Sequence, residues 1–146
     1  MKNQDFTTTI LVDQTPEEVF KAVNSVSAWW HGEVKGETHK LNDEFTYHYG
    51  DVHYSKQKLV ELIPGKKVAW LVTDSRLNFV ENKTEWTGTQ ICFEMTQQGK
   101  QTQMKFTHIG LVPGFECFNG CSGGWTQLIQ KSLFSLITTG KGKDVF

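Results

Sequence analysis

Between Glu33 and about Gly110 the sequence runs mostly in period two, and this constrains the fold more than any other feature. "EFTYHYG" sets Phe45, Tyr47 and Tyr49 on one face, "SKQKLVEL" sets Lys58, Val60 and Leu62 in register, and "KVAWLV" sets Val68, Trp70 and Val72. "TQICFEM" continues with Thr89, Ile91, Phe93 and Met95, and "TQMKFTHIG" with Thr102, Met104, Phe106 and His108. Five or six strands fit this stretch. Their connections are short: a hairpin-type turn at Gly50-Asp51, Pro64-Gly65 placed as a type II turn requires, and "QQGK". Short connections argue for an antiparallel meander. The 73–86 stretch is the one long connection and is expected to be the most mobile.

A sheet with one apolar face needs a cover, and the C-terminal stretch supplies it. Trp125, Leu128, Ile129, Ser132, Leu133, Leu136 and Ile137 recur at helical spacing, and Gly140 is a natural C-cap. Phe134 points away from this stripe, and "PGFECFNGCSGG" before it can add a turn or two of helix. At the other end, "FTTTILVD" alternates Phe6, Thr8, Ile10 and Val12 as a strand, expected beside the last one. "TPEEVFKAV" then opens a helix with Thr15 as N-cap, Pro16 in the first turn and Glu18 closing a capping box. A second short helix runs into Trp29 and Trp30 and stops at Gly32. The fold class is α+β: a curved antiparallel sheet, in the order β-α-α-β-meander-α, wrapped around a long C-terminal helix.

The 146 residues fit a single domain covering 1–146. A formal net charge of −1 gives no footprint for a nucleic-acid partner. No stretch is apolar enough for membrane insertion and the first residues lack a signal-peptide core. Cys92, Cys117 and Cys121 form an odd set that suits a reducing cytoplasm better than a disulfide framework.

"TPEEVFKAV", the "WW" pair, "LVELIPGKKVAWLV", "GKQTQMKFTHIGL" and "GWTQLIQKSLFSLI", in this order and spacing, resemble the START-like (SRPBCC) superfamily. Within it the chain is most similar to the branch of the C-terminal domain of the heat-shock protein 90 ATPase activator. The resemblance covers nearly the whole chain. It implies a helix-grip fold with a deep cavity between sheet and helix. It also implies a hydrophobic small molecule as partner (lipid, sterol, polyketide or aromatic), or a chaperone or other protein in a stress-response setting. A minority of the superfamily are enzymes. The activator's N-terminal docking domain has no room in 146 residues.

The cavity residues expected on this basis are Trp30, Tyr47, Tyr49, Trp70, Phe93, Met104, Phe106, His108, Trp125, Ile129 and Leu133. Mostly apolar walls with a few polar tips are the usual make-up of a ligand pocket. One of Trp29 and Trp30 is expected in the core and the other at the cavity mouth. His108 is either a polar handle or acid–base group for a ligand, as in a polyketide cyclase, or a buried histidine bonded to its neighbours. No metal site or cofactor is expected: Cys117 and Cys121 have no C-x-x-C pattern, and His31, His39, His48 and His53 share no ligand spacing. Gly123 and Gly124 suggest a close helix–sheet approach or a kink, and the 113–124 segment a gate. If the domain instead serves protein contacts, Phe134 and the "LNF" of the long connection are the candidates.

Overall fold

The computed structural model describes residues 5–30 and 32–143. The period-two region forms β2 (Glu33–Gly36), β3 (Glu44–Tyr49), β4 (His53–Ile63), β5 (Lys67–Leu77), β6 (Gln90–Gln98) and β7 (Gln101–Ile109). With β1 (Phe6–Val12) they build one seven-stranded antiparallel sheet in the order β1-β7-β6-β5-β4-β3-β2. The first strand does lie beside the last, with Phe6 opposite His108 and Val12 opposite Thr102.

The local signals explain the elements between β1 and β2. Thr15 Oγ1 accepts the Glu18 amide at 3.2 Å and the Glu18 carboxylate accepts the Thr15 amide at 3.1 Å, so the capping box closes. It starts α1 (Pro16–Asn24), whose Val19 and Val23 are fully buried, and α2 (Val26–Trp29) follows.

The inward faces of β5, β6 and β7 are those the alternation requires, but β4 reverses the expectation. Its buried residues are Ser55, Gln57 and Leu59, while Lys58 and Val60 turn outward. The cause is a bulge: Leu59 pairs with Trp70 and Glu61 with Ala69, which leaves Val60 as an extra residue. Thr73 is a second extra residue, on β5, between the Lys56–Asp74 and Gln57–Val72 pairs. Each bulge bends its strand and resets which side chains face inward. Strand β5 also runs on to Leu77, so the long connection is shorter than expected.

The C-terminal helix lies across the concave face in three continuous parts: α3 (Phe118–Gln127), a π-helical segment (Leu128–Leu133) and α4 (Phe134–Thr139). The wide turn carries the Phe134 amide back to the Ile129 carbonyl. Trp125, Leu128, Ile129, Ser132, Leu133 and Ile137 are buried, with Leu136 packed beside them. Ser132 donates to the Trp29 carbonyl at 2.7 Å and ties this helix to α2. Gly140 ends it with φ +87°, and its amide donates to the Leu136 carbonyl. This arrangement is the helix grip.

Candidate ligand cavity

The adjacent tryptophans divide as the end of α2 dictates. Trp29 still belongs to the helix, is fully buried, and its indole N–H donates to the Val23 carbonyl at 3.1 Å. Its ring lies nearly parallel to those of Trp30 and Trp70, at 6.2 and 6.3 Å, and the three indoles form one cluster. Trp30 is the first residue past the helix, in extended backbone, and this turns its ring onto Tyr47 at 3.9 Å.

Trp30 and Tyr47 form one wall of a cavity of about 260 Å³. Trp125, Gly120, Cys121, Gly124 and Leu128 of the C-terminal helix form another, and His53 and Trp86 close it from β4 and the 78–89 connection. Tyr49, Val52 and Phe79 make an exposed apolar rim. Trp86 is buried among rings: it stacks on Trp125 at 5.8 Å and stands edge-on to His53 and to His108, both at 4.7 Å. Burial, with a smaller contribution from His48, lowers the His53 pKa to about 3, so the ring is neutral. Burial, with a contribution from Tyr49, holds the Tyr47 phenol above its ordinary range. A hydrogen bond to Cys117 and burial push the Cys121 thiol far up, which leaves it an un-ionised and unreactive group.

Of the expected cavity residues, Trp30, Tyr47, Tyr49 and Trp125 are brought together on the cavity wall. Trp70, Phe93, Met104, Phe106, Ile129 and Leu133 are packed solid instead, none of them more than 2% exposed. Phe93 meets Trp70 at 5.0 Å and Phe106 at 5.2 Å, and Phe106 meets Trp125 at 4.6 Å. These rings fill the space between sheet and helix rather than enclose it, so the cavity occupies one end of the interface only.

His108 lies in that filled region. The Trp125 indole N–H donates to its Nδ1 at 3.0 Å, which puts the ring proton on Nε2. Nε2 then donates to Thr89 Oγ1 at 2.8 Å, and the Thr89 hydroxyl donates to the Trp86 carbonyl at 2.6 Å. Burial, and to a lesser degree His53, lowers its pKa to about 3. Of the two roles open to it, the bonded core histidine is the one the geometry matches. With both nitrogens engaged and the ring outside the cavity wall, His108 is removed from contact with a bound molecule.

The family model described as "Activator of Hsp90 ATPase homolog 1-like protein" matches residues 13–137. The chain belongs to this family. The structure of the Aha1 dimer from Colwellia psychrerythraea is similar, with a TM-score of 0.75 and 22% identity over 94% of this chain and 98% of that one. A Staphylococcus saprophyticus protein gives 0.71 and 15% over 98% of both chains. DynU16, a protein of the dynemicin biosynthetic locus, gives 0.68 and 15% over 97% of this chain and 49% of that one. At these identities the structures share the fold with the Aha-type chain. No curated protein matches it in sequence.

In this Aha-type domain the wall residues His53, Trp86, Cys121 and Gly120 escaped the sequence reading. Trp86 sits in "TEWTGT", outside any periodic run, yet an indole is costly to leave in water and so has to be covered. His53 was hidden by the β4 register. A clasp fixes the cavity's roof: the Glu116 carboxylate accepts the Asn82 amide at 2.8 Å, and the Glu85 carboxylate accepts the Glu116 and Cys117 amides at 2.7 and 3.1 Å. Gly120 and Gly124 leave space for the cavity, whereas a Cβ on Gly123 would meet nothing within 4 Å, so no close approach explains it. "LNF" divides, with Leu77 buried and Phe79 on the rim. Phe134 is 37% exposed on the outer side of the helix. His31 lies outside the described residues. Among those described, no three metal-ligating side chains converge and no helix is long and apolar enough to cross a membrane.

Proposed function

We propose that the domain binds a small, compact aromatic molecule in the cavity between Trp30, Tyr47, Trp86 and Trp125. The observation that carries this reading is the cavity itself, open at one end of an interface whose other inward side chains are buried against one another. Its size sets the class. About 260 Å³ lies between the ~150 Å³ that admits benzene and the ~300–1,000 Å³ of sites for drug-sized ligands. One or two rings fit; a sterol or a full acyl chain does not. Aromatic walls favour a flat ligand through stacking and edge contacts.

The test is a two-dimensional NMR titration of the indole signals with naphthalene-sized compounds, on the wild type and on Gly120→Phe. Gly120 lines the mouth, and a Cβ there meets no atom within 4 Å, so the added ring should enter the cavity without straining the helix. Saturable shifts at Trp30, Trp86 and Trp125, absent at Trp29 and abolished in Gly120→Phe, are expected. A silent titration would overturn the proposal.

A second reading, a protein-interaction domain of the chaperone-activator kind, draws on the exposed rim of Tyr49, Val52 and Phe79 together with Phe134. Loss of a chaperone ATPase stimulation in Phe79→Ser or Phe134→Ser, with the cavity still loading, would favour it over ligand binding.

A further inference from the structure

The polar atoms of the cavity wall are few, and their hydrogen-bond accounting is uneven. Trp86 Nε1 is buried with no oxygen or nitrogen partner. The group it turns toward is the Cys121 sulfur, which itself lines the cavity and is a poor acceptor. An unpaired buried N–H costs about 1–3 kcal/mol, so a ligand oxygen arriving there relieves a standing penalty.

The second atom is on His53. Ser55, fully buried, accepts a hydrogen bond from the Gln57 side-chain amide, and its own hydroxyl proton needs an acceptor. The acceptor within reach is His53 Nε2 at 3.0 Å. With the Gln57 amide oriented as donor, Nε2 holds the lone pair and the ring proton sits on Nδ1, for which the described residues show no hydrogen bond. This is the opposite tautomer to that of His108. The two rings, His53 and Trp86, 4.7 Å apart, both line one apolar cavity. Among the described residues no Asp, Glu, Lys or Arg lines it, so neither an organic cation nor a carboxylate finds a counter-charge.

We propose that the cavity selects a neutral one- or two-ring compound bearing a carbonyl oxygen, a ketone or a quinone, with Trp86 Nε1–H and His53 Nδ1–H as the donors that hold that oxygen. The assignment rests on the cavity being the binding site, and it adds the polar half of the recognition. A closed hydrocarbon of the same shape would fill the same space and leave both donors unpaired.

The experiment compares 1-tetralone with tetralin, which differ by the carbonyl, using calorimetry and ¹⁵N-edited NMR on the full chain. Tetralone is expected to bind at least about tenfold more tightly, the ratio that one or two recovered hydrogen bonds supply. It should also move the Trp86 indole proton downfield, and long-range imidazole spectra should show His53 protonated on Nδ1. Trp86→Phe and, separately, His53→Phe are expected to shrink the tetralone-to-tetralin ratio, which is read within each variant so that a change in the cavity's shape acts on both compounds, and a folding failure in one variant leaves the other. Equal affinity for the two compounds, or His53 protonated on Nε2, would overturn the carbonyl selectivity and leave the cavity proposal standing. If neither compound binds, both proposals fall together.

Discussion

His53 and His108 flank Trp86 at the same distance, 4.7 Å from ring to ring, and burial keeps both neutral down to about pH 3. Yet they belong to different regions. His108 is fully buried and bonded at both nitrogens, edge-on to Trp86 and Trp125 on the filled side of the interface. His53 is bonded at one, beside the open end. A lowered pKa therefore does not distinguish a structural histidine from one available to a ligand; the partner of the second nitrogen does. The same sorting holds for the indoles, since Trp29 and Trp125 have oxygen or nitrogen partners for their N–H groups and Trp86 has only the Cys121 sulfur beside it.

The comparison breaks most sharply under truncation. Trp70, fully buried and ringed by Trp29, Trp30, Phe45 and Phe93, should cost about 3–5 kcal/mol as Trp70→Ala, measured by urea unfolding. A loss below 1 kcal/mol would mean that the filled end is not filled.

Acid sharpens it next. The unfolded chain takes up protons on these rings below about pH 6.5, while the folded chain resists down to about 3. In that window the unfolded state binds more protons, so stability falls as the pH drops, by about 1.4 kcal/mol per pH unit for a ring as sealed as His108. His108→Gln should lose about 1–3 kcal/mol at pH 7 by breaking the Thr89–Trp125 chain. It should also flatten the acid slope, which unfolding curves at pH 7 and pH 5 would show. An unchanged slope would contradict the assignment of His108 as neutral.

The smallest effect belongs to the rim. Phe79 is 49% exposed, and Phe79→Ala should change stability by no more than about 0.5 kcal/mol. A larger loss would place the rim in the core.

Much of this was legible before any coordinates. Period two gave the faces of β5, β6 and β7, because a half-buried sheet cannot hide which side is apolar. The capping box and Gly140 marked helix ends for reasons of backbone hydrogen bonding alone. What the sequence concealed was set by single extra residues: Val60 and Thr73 shift the pleat, and a pattern read with a fixed period passes through a bulge without noticing it. The cavity was harder still. Seven expected wall residues proved to be filling, since alternation tells which way a ring points and not whether its neighbours reach it.

The clasp of Glu85 and Glu116 has a consequence in time. Each carboxylate holds amides of the other's segment, so the connection bearing Trp86 and the start of α3 bearing Cys121 cannot loosen separately. The roof has one opening event, not two. Amide exchange at Asn82, Glu116 and Cys117 should then share a single rate.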